Sequence, residues 1–289
     1  MKSSMLKKLF AVMMVIILVL GCFAGCGGGD AEVEGEGDAQ NEVTGDQSLQ
    51  SVLDQGELHV AISPDYAPYE YLDLLTGEVK GSDVMFANYI GEKLGVKVVF
   101  DQMSFESCLA AVGSKSTDLM ISCMGWSPER AESMELSEQY NAHKNMENTV
   151  LASAEKAASL KVGEDFAGLK VAAQNGSTMY DKAVDELPGV KEVKAISSIA
   201  DGIMMLTEGK VDGVAMSSKV AEEFCGNYEG LGIAGFQFAA NKKGNVVGAP
   251  KGDVAIIEKV NEIILKATEE DLFLKWYEDA AAEAKKQGL

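Results

Sequence analysis

Arg130 is the residue whose type and setting point most directly at chemistry. It stands in Ser122 to Glu132 (SCMGWSPERAE), which reads as the end of a buried strand, a tight bend allowed by Gly125, and the first turn of a helix. Ser127-Pro128-Glu129 has the pattern of an N-cap followed by the first two helical positions, which predicts Arg130 in the first turn. A helix start offers unmet N–H donors and partial positive charge, and a guanidinium adds a planar fork that matches a carboxylate. The expectation is a grip on a small carboxylate, with Cys123, Met124 and Gly125 in the same motif. The other reading is an ordinary capped helix whose Arg130 pairs with Glu129, Glu132 or solvent.

Other chemistries find less support. His59 and His143 have no Cys or His cluster near them, and no metal-ligand spacing is present. Metal binding and Cys-His catalysis are both weak prospects, and no cofactor is expected. Glu70 is the one acid worth testing as a catalytic group, and no convincing nucleophile–base pair accompanies it.

The elements that must position Arg130 belong to a chain of 289 residues, long enough for two domains and, at 47% hydrophobic, able to bury a sizeable core. Its formal charge is −20, with 45 acidic against 25 basic residues. This charge argues against nucleic acid as a partner. Part of the charge is local: Asp30, Glu32, Glu34, Glu36, Asp38, Glu42 and Asp46 sit in a Gly-rich stretch without Lys or Arg, predicting an extended tether.

Lys2, Lys7 and Lys8 precede an uncharged apolar run that ends in small residues and cysteine (LVLGCFAGCGGG), the pattern of an export signal. The cysteine resembles a bacterial lipobox, with Cys26 as the lipidated residue and Cys22 as the alternative. Leu9 to Ala24 is short for a spanning helix, though the uncharged stretch through Gly29 leaves a transmembrane anchor open. Either way the globular part is expected outside the cytoplasm. Cys108, Cys123 and Cys225 remain; buried free thiols are the expectation, with a Cys108–Cys123 disulfide as the other reading.

Leu49 to Leu53 reads as a helical entry, LHVAIS (58–63) as a strand, and SPDYAPYEY as a loop rich in turn formers and tyrosines. Ser82 or Asp83 is expected to cap an amphipathic helix through Leu94, which Gly95 stops; a strand at 96–100, a helix at 105–112 and a strand at 118–123 follow. After a strand at 148–153 the order repeats: strand 169–174, helix 179–186, strand 193–197, helix 199–206, strand 211–216. A strand at 245–249 and helices at 253–266 and 272–282 close the chain. Alternation of strand and helix predicts an α/β fold of two lobes, each a mostly parallel sheet flanked by helices. Two crossings, near 147 and 241, would make a two-segment hinge. The expected division is a signal peptide at 1–25, the tether at 26–48, lobe 1 at 49–146 and 241–289, and lobe 2 at 147–240.

With these motifs in order (SPDYAPYEY, GSDVMFANYIGEKLG, TDLMISCMGWSPER, GLKVAAQNGST, VDGVAM, KGDVAIIEKVNEII and a Trp-Tyr near the end), the chain resembles the extracytoplasmic solute-binding proteins of polar amino acid ABC transporters over roughly Leu58 to Asp279. The resemblance implies the periplasmic-binding-protein type II fold, with a ligand cleft between lobes that close on a hinge. It places Tyr66 and Phe105 as aromatic covers of the ligand, Arg130 as the carboxylate-binding arginine, and Ser177 and Thr178 as the hydroxyl pair closing over the same carboxylate. It implies a lipid-anchored, non-enzymatic importer component whose partners are a carboxylate-bearing solute, amino-acid-like, and ABC permease subunits. A cyclic-acid dehydratase on the same scaffold, or a sensor for a separate signalling protein, is the alternative.

The chain departs from the family where an Asp commonly ends the VDGVAM strand to hold the ammonium: Met216-Ser217 stands there. A hydroxyl cannot offset a buried positive charge as an Asp can. Together with Ser63, Met124, Trp126 and Met179, this predicts a less acidic, more apolar pocket. Either Asp65, Glu70 or Asp83 holds the ammonium, or the ligand carries little or no charged amine.

Overall fold

A computed structural model describes residues 45–140, 147–240 and 243–289. The proposed signal peptide, Cys22, Cys26 and most of the acidic stretch lie outside the described residues. Its last residues do not: Asp46 accepts from the amides of Ser48 and Ala255, so the folded part begins slightly before the expected boundary.

In chain order the first elements are α1 (Ser48–Gln55), β1 (Glu57–Ile62), β2 (Asp65–Tyr66), β3 (Glu70–Leu72), β4 (Val79–Lys80), α2 (Ser82–Leu94), β5 (Lys97–Gln102), α3 (Phe105–Gly113), β6 (Leu119–Met120), α4 (Pro128–Ser133) and β7 (Met134–Leu136). There follow β8 (Asn148–Ser153), α5 (Ala154–Ala157), β9 (Lys170–Gln174), α6 (Thr178–Glu186), β10 (Glu192–Ile196), α7 (Ile199–Thr207), β11 (Gly213–Ser217), α8 (Ser218–Asn227) and β12 (Leu231–Ile233). The chain then returns through β13 (Gly248–Pro250), α9 (Val254–Glu269) and α10 (Leu272–Lys286).

Two five-stranded sheets result, ordered β5-β1-β6-β13-β7 and β10-β9-β11-β8-β12. In each, the pairings leave four strands pointing one way and one reversed. The reversed strands are β13 and β8, the first that the chain enters after passing from one sheet to the other. This is a two-lobed, mixed α/β architecture in which each lobe borrows an antiparallel strand at a crossing.

The first lobe's core forms where buried Leu58 and Val60 of β1 and Phe86 and Ile90 of α2 meet Ile256, Val260, Ile263 and Ile264 of α9. The three- and four-residue spacing of those α9 side chains is what puts them on one face. In the second lobe Ala172 of β9, Val214 of β11 and Ile203 and Leu206 of α7 pack in one cluster, and Val150, Phe166, Val171 and Phe236 form another on the sheet's other side. Alternate residues of the central strands supply the two clusters, so these strands are buried on both faces.

Several local expectations need correction. Gly81, not Ser82 or Asp83, occupies the N-cap of α2, and the Asp83 side chain turns inward. SPDYAPYEY forms a hairpin: β2, β3 and β4 make a small antiparallel sheet. Only Leu119–Met120 of the expected strand at 118–123 stays in the sheet, and the expected strand at 245–249 begins at Gly248. Helix α8 and the short strands β7 and β12 had no sequence signal of their own, being three to ten residues long and half-buried at most along their exposed sides.

Candidate functional site

Parallel strands leave their C-terminal ends facing the same way, and ligands collect where such ends meet. Here the ends of β1 and β6 from one lobe face those of β9 and β11 from the other. A cavity of about 70 Å3 lies between them, lined by Tyr66, Glu70, Phe105, Cys123, Gly125, Arg130, Ser177, Thr178 and Ser217, together with Ser122, Asn148, Gln174, Met179, Ile199, Ala215, Met216, Gly244 and Asn245.

Arg130 is only 7% exposed, and among the described residues no carboxylate forms an ion pair with it. Its amide donates to Ser127 Oγ, the N-cap of α4, and its Nη1 donates to the carbonyl of Gly125. Nη2 donates across the cleft to the carbonyl of Gly176 at 2.8 Å. The Phe105 ring lies 5.5 Å from the guanidinium carbon, within cation–π range. Burial pulls the guanidinium down to about 10, so it stays charged at neutral pH. The pairing with Glu129 or Glu132 considered above is absent among the described contacts; Glu129 faces outward.

The helix start that shares the cavity with Arg130 is not its own. Ser127, Pro128 and Glu129 line a separate surface depression, and α4 runs for only six residues. The N-terminus of α6 supplies the cleft instead. Ser177 is its N-cap, accepting from the amide of Tyr180, and Thr178 and Met179 begin the helix. Anion attraction at this site therefore combines a guanidinium from one lobe with a helix N-terminus from the other.

Met124 corrects the expected pocket lining. Its side chain is fully buried in the first lobe's core with Met134, and its carbonyl accepts from the amide of Val246. The thioethers that do reach the cavity are Met179 and Met216. Gly125 lines the cavity, but the backbone of this bend is left-handed at Cys123, with φ 44°, and not at Gly125. Cys123 donates its amide to Asp83 at 2.6 Å and its sulfur accepts from Asn245 Nδ2. Cys108, Cys123 and Cys225 are all free thiols.

Tyr66 spans the cleft: its hydroxyl accepts from the amide of Ser217 at 2.8 Å. Ser217 caps α8, its Oγ accepting from the amide of Val220, so the residue at the Asp position has its hydroxyl engaged with the backbone.

The three acids near the first loop differ sharply. Asp65 accepts from Ser63 Oγ, from Gln174 Nε2 and from the amide of Ile199 at the start of α7, and does not line the cavity. Asp83 accepts from the Cys123 amide and from Tyr140 Oη, and burial raises it to about 6. Glu70 lines the cavity, is 1% exposed, accepts from Ser122 Oγ on Oε1 and lies within hydrogen-bond reach of the Asp83 carboxyl. Burial first, and then the neighbouring Asp83 and Asp65 charges, hold its carboxyl well above the usual range. A cationic group from a ligand would offset this crowding of carboxyls.

Ser122, Gln174, Asn148 and Asn245 were not among the expected site residues, whereas Glu70 was one of three acids considered for the ammonium. Glu70 was legible as an acid in SPDYAPYEY; Ser122 and Gln174 follow apolar runs and Asn148 and Asn245 precede them, a signal shared with any capped strand.

Among the described residues no helix is long and apolar enough to cross a membrane, and no group of three or more His, Cys, Asp or Glu could hold a metal ion.

The model of the bacterial extracellular solute-binding proteins, family 3, matches residues 58–279. The L-cystine-binding protein TcyA of Bacillus subtilis is 26% identical over 208 residues, 72% of each chain. An amino acid ABC transporter substrate-binding protein, AbpA of Streptococcus pneumoniae, solved with L-arginine, is 31% identical, covers 81% of this chain and 98% of its own, and superposes with a TM-score of 0.76. The ancestral amino acid-binding protein AncCDT-1, a precursor of cyclohexadienyl dehydratase, shares the fold with a TM-score of 0.70 at 24% identity, over 80% of this chain and 98% of its own. The chain belongs to the bacterial extracellular solute-binding proteins, family 3.

Proposed function

We propose that this protein is the substrate-binding lipoprotein of an ABC importer, capturing an amino acid or amino-acid-like carboxylate between its lobes and delivering it to the permease. The observation that carries the reading is Arg130: a guanidinium nine-tenths buried in the cleft, without a carboxylate partner among the described residues, beside the N-terminus of α6. A ligand carboxylate would satisfy both. Glu70, the acid among the cavity-lining residues, is the group best placed to offset the ligand's ammonium, in place of the Asp that Ser217 replaces. Lobe 1 is taken as 49–146 and 241–289 and lobe 2 as 147–240, with the protein tethered outside the cell by lipid on Cys26, or on Cys22.

A thermal-shift screen of the protein against α-amino acids, their deaminated acids and the corresponding amines tests this reading. A ligand at about 100 times its dissociation constant stabilises by about 2.7 kcal/mol. Stabilisation by α-amino acids above both other sets supports it; stabilisation by amines alone removes the carboxylate assignment. Intact mass of the mature chain reports the lipidated cysteine.

The raised carboxyl of Glu70 also favours one second reading, a dehydratase in which it acts as general acid on a cyclic carboxylate. Product formation from any ligand that binds would establish it.

A further inference from the structure

We propose that a second ligand site lies beside the cleft, a cavity of about 490 Å3 that takes a small amphipathic amine, an apolar body with one cationic head. The hairpin that builds the cleft also builds this cavity. Cross-strand partners in an antiparallel pair share a face, and adjacent pairs alternate faces. Tyr66 pairs with Glu70, and both line the cleft; Asp65 pairs with Tyr71, and both line the second cavity. The opposite wall comes from the second lobe, through Ala200, Ile203 and Met204 of α7 and Glu223 and Phe224 of α8.

Three observations point to a ligand. The size falls in the range of about 300–1,000 Å3 typical of small-molecule sites. The walls expose large apolar side chains to solvent, Leu74 at 67%, Met204 at 53% and Tyr228 at 42%, on a chain otherwise rich in surface charge. Three aromatic residues, Tyr71, Phe224 and Tyr228, are part of the lining, surfaces that suit an apolar body and a cation alike.

The charge of the walls selects the head group. Asp65 and Glu223 line the cavity, and no Lys, Arg or His does among the described residues. Lys80, on the strand paired with Tyr71, is held by Asp73 and Glu283. An anion would face the Glu223 carboxylate with no cation in the lining, whereas an ammonium would meet Glu223 and leave its apolar body to Leu72, Ile203 and Phe224. Because the two walls belong to different lobes, an occupant touching both binds the closed arrangement, and its binding is linked to that of the cleft.

The test uses the full chain, with tryptamine as probe and indole-3-acetate as its anionic counterpart, each titrated by calorimetry. Glu223→Gln removes the carboxylate that would meet the head group, and Ala200→Phe fills the cavity from an exposed position on α7. Saturable binding of tryptamine in preference to indole-3-acetate is expected, weakened about tenfold by Glu223→Gln, as for loss of one charge-assisted contact, and abolished by Ala200→Phe. Thermal melts that match the parent establish that both variants fold; Glu223→Gln alone decides the matter if Ala200→Phe does not fold. The proposal is overturned if tryptamine does not saturate, if indole-3-acetate binds better, or if tryptamine binding is unchanged in the variants.

Discussion

Asp65 of the first lobe accepts from the amide of Ile199, the first residue of a helix in the second, at 2.9 Å. The same carboxylate takes Gln174 Nε2 at 3.0 Å, so one side chain holds a helix start and a strand end of the opposite lobe. With the Arg130–Gly176 and Tyr66–Ser217 contacts, closure is held by hydrogen bonds that do not involve the ligand.

Asp65→Asn keeps the shape of the side chain and removes its charge. Loss of charge-assisted contacts across the seam should lower ligand affinity about tenfold without changing which ligands bind. Small-angle scattering without ligand should show a larger radius of gyration for the variant than for the parent.

Glu70 and Asp83 make stability depend on pH in a defined direction. Both carboxyls are raised in the folded protein, Asp83 from 3.8 to about 6, so the folded state holds protons that the unfolded state has released. Stability should therefore fall as pH rises from about 4 through 6. Glu70→Gln should flatten this dependence and raise the melting temperature of the ligand-free protein at pH 7.5, while weakening α-amino acids far more than their deaminated acids. Melts from pH 4 to 8 and paired titrations check both.

Ser217→Asp keeps an N-cap residue on α8, because Asp caps as well as Ser. It adds a carboxylate where the cleft has only an engaged hydroxyl. In a Glu70→Gln background it should recover part of the lost α-amino acid affinity, at least tenfold by calorimetry; recovery for the deaminated acids alone would place the ammonium elsewhere.

The left-handed backbone of Cys123 predicts opposite effects of two substitutions. Cys123→Val puts a β-branched side chain at φ 44° and should lower stability by about 2 kcal/mol, whereas Cys123→Gly should fall within about 1 kcal/mol of the parent. Chemical denaturation of the two variants is the check.

What sequence carried into structure was periodic. α9 and β1 were legible because their apolar spacing matches one face or alternate faces, and Gly56 and Gly95 stop helices α1 and α2 in the left-handed conformation that glycine takes freely. Ser127 is the N-cap that the sequence indicated, and Ser104, Ser177, Ser198 and Ser217 cap their helices in the same way without having been singled out as caps. The direction of side chains was not legible. Met124 and Cys123 are neighbours in one motif, yet one enters the core and the other the cleft, because the left-handed residue between strand and bend turns the chain over. Asp65, Glu70 and Asp83 were equivalent acids until the hairpin register and the inward turn of Asp83 assigned two of them to hydrogen bonds and left one facing the cleft.

The most direct test of the central claim is a calorimetric cycle with the best amino acid from the screen and its carboxamide, against the parent and Arg130→Ala. The variant should lose roughly 3–5 kcal/mol toward the acid, as when one partner is stripped from a buried ion pair. The carboxamide should bind the parent weakly and the variant no worse. Equal binding of acid and carboxamide by the parent, or an acid affinity that Arg130→Ala leaves intact, would contradict it.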